Sequence, residues 1–153
     1  MSEGVPSKTK TLFSRILVLI QFLTSAALVL SARYELHHAV GFSLSVVGLC
    51  LGLLAIAAIG PARVAIMPDV KTKTQLVTAG PYRFVRHPMY SALMLFCGGF
   101  VFTPFQWWKC AVWFVLIFVL VAKSRIEERQ LMVKFSDYAD YRKRTHRFVP
   151  FVW

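Results

Sequence analysis

Acidic side chains are scarce in this chain: seven Asp and Glu stand against eighteen Lys and Arg in 153 residues, a formal net charge of +11. So basic a chain suits either nucleic acid or the anionic face of a membrane. Here the basic residues bracket long apolar runs, which favours the membrane and gives no reason to expect a nucleic-acid partner. Cysteine is sparse too. Cys50, Cys97 and Cys110 each sit inside an apolar stretch without a CxxC neighbour, so they read as buried thiols rather than a disulfide framework. GxGxxG, P-loop, HExxH and GxSxG patterns are all missing, so nothing supports a soluble Rossmann-type cofactor site or the hydrolase chemistries those patterns carry. His37-His38 has no second ligand pair at usable spacing, and no metal site is expected.

What the chain has in abundance is apolar length: 57% of its residues are hydrophobic and its mean hydropathy is +0.58. A helix of about 20 residues covers about 30 Å, enough for a bilayer core. Leu12 to Ala32 forms a first candidate span, too long for the apolar region of a cleaved signal peptide and read as retained. Ala39 to Gly60 is a second, uncharged throughout. A polar loop follows, Pro61 to Arg86, extended or irregular over Thr72 to Gly80. Pro88 to about Thr103 is a third, short apolar segment, and Phe105 to Ala122 a fourth; the short break at Thr103-Pro104 makes them a helical hairpin. Arg125 to Arg144 reads as an amphipathic helix outside the bilayer, with Leu131, Phe135 and Tyr138 at i, i+4, i+7 spacing. Gly48 and Gly52 make a GxxxG for close helix packing, and Trp107, Trp108, Trp113 and Trp153 suit membrane interfaces. The expectation is one domain over 1–153: an all-α integral membrane protein of about four transmembrane helices. Residues 1–60 give two N-terminal spans and 61–150 the motif-bearing half, its C-terminal hairpin followed by the cytoplasmic amphipathic helix.

Sixteen of the eighteen Lys and Arg fall in the N-terminal tail, the long loop or the C-terminal region, leaving Arg33 and Lys109 for the other side. Four spans with both termini and the loop cytoplasmic satisfy the positive-inside rule. That topology brings two unusual clusters to one membrane face. The first is Gly80-Pro81-Tyr82-Arg83-Phe84-Val85-Arg86-His87-Pro88-Met89-Tyr90, which puts two arginines, a histidine and two tyrosines against the third apolar segment. So much hydrogen-bonding capacity at the mouth of a membrane helix is expensive unless something binds it. Pro88 suits the first helical position, and the free amides of that turn, with Arg83 and Arg86 nearby, favour an anionic group. An interfacial belt of Tyr and snorkelling Arg is the plainer alternative. The second cluster is Glu127-Glu128, read either as a functional carboxylate pair at the membrane boundary or as a solvated helical turn.

Together these pieces carry a resemblance. Leu76-Val77-Thr78-x-Gly80-Pro81-Tyr82-x-x-x-Arg86-His87-Pro88-x-Tyr90, then Glu127-Glu128-x-x-Leu131 and Phe135-x-x-Tyr138-x-x-Tyr141, closely resembles the isoprenylcysteine carboxyl methyltransferase family, integral membrane enzymes related to the phospholipid N-methyltransferases. It covers roughly residues 70 to 150; the first two spans carry no diagnostic residue. Ser136 stands where the family often has glycine. The resemblance implies S-adenosylmethionine as methyl donor and no metal. The matching cofactor positions are Gln75, Leu76, Val77, Tyr82, His87, Pro88 and Tyr90, with Glu127 or Glu128. It also implies a basic residue near the methyl acceptor, Arg125 or Lys123. The acceptor would be lipophilic and reach the site from the bilayer: a prenylated cysteine, a phospholipid or a small thiol. A carboxylate acceptor needs no general base, whereas an amine or thiol would need one, for which His87 is the best placed candidate.

Two rival readings remain open. Membrane sterol-type reductases carry a similar Arg-His-Pro-x-Tyr element and use NADPH, though this chain is short for one and Glu127-Glu128 fits the methyltransferase better. A non-enzymatic membrane adaptor would use the same motif structurally.

Overall fold

The computed structural model describes residues 8–33, 39–60 and 76–150, and in these it is all helical. In chain order the helices are α1 (Lys8–Leu30), α2 (Ala39–Ile59), a 3-10 turn over Gly80–Arg83, α3 (Pro88–Val101), α4 (Trp107–Lys134) and α5 (Tyr138–Arg144). The stretch from Leu12 to Leu30 within α1, and all of α2, are long and apolar enough to cross a membrane. Most of each is exposed: Leu19, Phe22 and Leu23 on α1 and Leu49, Leu53 and Leu54 on α2 all face outward, as Phe114 and Phe118 do on α4. An apolar sheath of this extent is the surface of a protein solvated by lipid.

α2 packs chiefly along α3, and α1 along α4. The α2–α3 contact is close because small residues face each other. A Cβ at Gly48 would fall 2.8 Å from the carbonyl oxygen of Ala92 and the Cα of Phe96, and one at Gly41 2.6 Å from that of Gly99. Ser45 Oγ donates across the same contact to Phe96 O at 3.1 Å. Gly48 thus accounts for the GxxxG reading, while Gly52 makes only ordinary contact with Ala92. Leu28, Cys97, Phe100, Val101, Leu116 and Leu120 form the buried core between α1, α3 and α4.

α3 and α4 form the expected hairpin, joined by a turn in which Phe102 and Phe105 pair. Lys109, fully buried, fastens that end. Its Nζ donates to the carbonyl oxygens of Thr103 and Pro104, both at 3.0 Å, and of Ser31 at 3.2 Å, tying α1 to the turn.

One expectation is corrected. Arg125 to Arg144 is not a separate amphipathic helix. α4 runs unbroken through Lys123, Arg125 and Glu128 to Lys134, and the chain breaks over Phe135–Asp137 before α5. Ile126 to Val133 are mostly good helix formers with no Gly or Pro, so the hydrogen-bond ladder continues past the apolar stretch. The break falls at Ser136-Asp137, two weaker helix formers whose side chains bond each other, Ser136 Oγ donating to Asp137 Oδ1 at 3.1 Å. Phe135 is the extended C-cap of α4, so it does not share a helix face with Leu131 and Tyr138.

Candidate active site

The site is organised around the start of α3. His87 lies outside the α region (φ −125°, ψ 58°), as a residue before proline should, and Pro88 takes the first helical position. The residues leading into it are held by the C-terminal segment. Arg86 N–H donates to His146 O at 2.8 Å, His146 N–H to Phe84 O at 3.0 Å and His87 N–H to Arg147 O at 3.1 Å. Ser91 Oγ adds a bond to Phe148 O at 2.6 Å, and Tyr141 OH one to Tyr82 O at 2.7 Å. Residues 145–149 therefore form a strap across the mouth of α3.

Glu128 is the hub of that arrangement. Its Oε1 accepts from Arg86 Nε at 2.9 Å and Arg147 Nε at 3.2 Å, and its Oε2 from an Arg147 terminal nitrogen at 2.8 Å. His87 Nε2 lies 3.3 Å from Oε1. Burial alone would raise this carboxyl, but the bonds from His87, Arg147 and Arg86 outweigh it and hold Glu128 well below the usual carboxylate range. Arg86 also donates to Arg142 O at 3.1 Å and to Thr145 O, tying the end of α5 to the same point.

Glu127 faces a different set of partners. Its Oε2 accepts from Tyr90 OH at 3.2 Å and lies 3.6 Å from His87 Nδ1. Its side chain is 32% exposed against 6% for Glu128. The Tyr90 ring stacks on His87, with centroids 5.3 Å apart and planes within 5°, and Lys123 Nζ lies 5.5 Å over it. Around the cluster stand three buried phenols. Burial, with Glu127 nearby, raises Tyr82; burial and then Glu128 raise Tyr138; burial pushes Tyr141 up to about 12. All three stay protonated at neutral pH. The Tyr138 hydroxyl is buried with no hydrogen-bond partner among the described residues, a costly state for a donor.

Of the residues singled out in the sequence, His87, Tyr90, Glu127 and Glu128 come together. Tyr82 and Pro88 are buried beside them, Leu76 and Val77 are half-buried before the 3-10 turn, and Gln75 lies outside the described residues. Arg125 is exposed, whereas Lys123 is buried, reaches Gln21 with its Nζ and lies over Tyr90. At the start of α3, part of the expected anion cradle is engaged within the protein. Tyr90 and Ser91 N–H donate to His87 O, Arg86 is spent on Glu128 and on carbonyls, and Arg83 points to solvent. Arg147 and Phe148, the latter with its ring 5.9 Å from His87, were not found from sequence. Among the described residues no group of three or more metal-ligating side chains is placed to hold an ion.

A groove of about 300 Å³ adjoins the cluster. Leu49, Leu53, Leu93 and Phe96 line its apolar wall, and Gln21, Tyr90 and Lys123 give it polar groups.

Comparison with known proteins now bears on this geometry. A family model for phospholipid methyltransferase matches residues 36–137, from before α2 into the break after α4. The chain belongs to the phospholipid methyltransferase family. The match takes in α3 and both glutamates and stops short of the strap. The chain is also 31% identical over 137 residues to the cobalt-zinc-cadmium resistance protein CzcN of Cupriavidus metallidurans, covering 87% of this chain. It spans about 61% of that relative's length.

Proposed function

We propose that the protein is an S-adenosylmethionine-dependent methyltransferase that transfers a methyl group to a lipophilic acceptor at the membrane. The observation that carries this reading is the meeting of Glu127, Tyr90 and His87 under the strap, in a chain of the phospholipid methyltransferase family. The donor would supply an electrophilic methyl on a sulfonium, together with an amino-acid end bearing an ammonium and a carboxylate. The residues fit such a group. Glu127 has one oxygen with no partner among the described residues, and the buried Tyr138 hydroxyl is unpaired. Family resemblance adds Leu76, Val77, Tyr82 and Pro88 to the donor side, and Gln75 from the segment before them.

The chain's own contribution is positional. In-line transfer needs the nucleophile held close and dry, and the strap with Phe148 covers the His87 ring from one side. The groove supports a hydrocarbon-bearing acceptor, because a wall of Leu and Phe offers an acyl or isoprenoid chain nothing to hydrogen-bond. Lys123 fits the basic position near the acceptor better than Arg125, since it lines the groove and Arg125 does not. An amine or thiol acceptor would pass its proton toward His87, beside Glu127.

The reading keeps four spans, with the site at the cytoplasmic face. From Trp107 to Glu127 is twenty residues of α4, about 30 Å, which sets Glu127 at the far edge of a hydrocarbon core entered near Trp107. α3, fourteen residues and about 21 Å long, is shorter than that core, so as the third span it would begin below the membrane surface. The start of α3 would then sit in a cup below the membrane surface.

The test is transfer itself. Nanodiscs carrying the full chain and a total lipid extract are given S-adenosylmethionine labelled on its methyl, and the organic phase is counted and identified by mass spectrometry. Label in a lipid, dependent on the protein, is expected. NADPH binding without S-adenosylmethionine binding would overturn the reading in favour of a reductase. Extracts from cells grown with and without cobalt, zinc or cadmium widen the acceptor search, a choice prompted by the name of the similar protein.

A further inference from the structure

We infer that Gln21, on α1, is a specificity-determining residue of the groove: with Lys123 it forms a head site that takes an anionic oxygen of the lipid lying there. This rests on the groove reading above. That reading has an apolar wall and a cation; the new element is Gln21, which stands outside the matched family region.

Gln21 interrupts the apolar stretch Leu12–Leu30 and is half-buried. A primary amide within a span is costly unless its groups are bonded. Half of that need is met inside the protein. Lys123 Nζ donates to Gln21 Oε1, clasping α1 to α4. An ammonium can only donate, so the amide oxygen must face it and the NH2 group turns away. That NH2 group has no partner among the described residues, and Gln21 lines the groove.

Elsewhere the wall is Leu49, Leu53, Leu93 and Phe96, which give a lipid head nothing to bind. The polar groups come from three helices and meet at one place: Gln21 bonds Lys123, and Lys123 Nζ lies over the Tyr90 ring. The Tyr90 hydroxyl is spent on Glu127. An amide N–H pair and a positive charge together suit an oxygen anion, a lipid phosphate or carboxylate. An amine head would meet a cation, and the amide oxygen is already taken. A clasp with no ligand role makes a different prediction, because Lys123 would donate as well to a carboxylate at position 21.

The experiment uses the full chain in detergent and two lipid pairs with matched chains: dioleoyl phosphatidic acid against dioleoylglycerol, and oleate against methyl oleate. Native mass spectrometry reads the ratio in which each pair is retained, and thermal unfolding checks that each protein is folded. Wild type should favour the anionic member of at least one pair by about ten-fold or more, the scale of one charge-assisted hydrogen bond. The pair that shows it tells phosphate from carboxylate. Q21E keeps an oxygen for Lys123 and should melt no lower than wild type. It also cancels the charge and removes the N–H pair, so its ratio should fall to near one. Q21L, which adds no charge, should lose the ratio several-fold. Equal retention of both members by wild type, or a wild-type ratio in folded Q21E or Q21L, overturns the inference and assigns lipid binding to the surface. Retention of no lipid by wild type sinks the groove reading and this inference with it. Failure of S-adenosylhomocysteine to bind would sink the donor reading and leave the lipid ratio unmoved.

Discussion

The two ends of α3 each bury a charge, and they do so in opposite ways. At the C-terminal end one cation, Lys109, is surrounded by backbone carbonyls from α1, α3 and the hairpin turn. At the N-terminal end one anion, Glu128, is ringed by two guanidiniums and an imidazole. Both obey the rule that a buried charge must be paired or fully hydrogen-bonded. The carbonyl cage is built by elements that would be there anyway, and it leaves nothing over. The glutamate hub is built from side chains drawn from three parts of the chain, and the same helical turn carries a second carboxylate with an oxygen to spare. One end is a fastening. At the other, a fastening carboxylate and a less engaged one are set side by side.

The largest expected effect lies in breaking the hub. Arg147→Ala leaves Glu128 buried beside a lost partner and should cost about 3–5 kcal/mol, with protease cleavage near residue 145 reporting a released strap. Equal stability to wild type would show that the strap is decoration. Lys109→Met, which removes the charge but orphans several carbonyls, should cost about 1–3 kcal/mol while leaving S-adenosylhomocysteine affinity unchanged. An affinity loss there would erase the distinction between the ends.

Acid separates them further. Glu128 is held well below its ordinary value of 4.5, so it contributes stability in full above that pH and loses it as the pH falls toward its folded value. Thermal unfolding of wild type and Lys109→Met should share this acid slope below about pH 4.5, and E128Q should lack its Glu128 component. The smallest effect is expected from Tyr138→Phe, which deletes a buried hydroxyl without a described partner. Stability should stay within about 0.5 kcal/mol, and a fall in S-adenosylhomocysteine affinity would mean that the ligand uses that hydroxyl.

Much of the frame was legible because membrane helices announce themselves by length and hydropathy. Leu12–Leu30 and Ala39–Ile59 fall within two residues of the expected bounds, and Pro88 starts α3 as a proline at the first position should. The break at Phe135–Asp137 was missed because an apparent i, i+4, i+7 stripe runs across it. The strap was invisible for a different reason. It has no periodicity, and Arg147 is one basic residue among several; its importance arises only when the chain folds back onto Glu128. The choice between Lys123 and Arg125 was likewise undecidable from spacing alone. Two residues apart on a helix is about 200°, so only one of them can face the groove.

The most direct test of the central claim is a binding titration of the detergent-purified full chain with S-adenosylhomocysteine, run in parallel with NADPH. The account predicts saturable one-to-one binding of the first, weakened at least ten-fold by E127Q, and none of the second. No binding of S-adenosylhomocysteine by folded protein, or saturable binding of NADPH in its place, would contradict it.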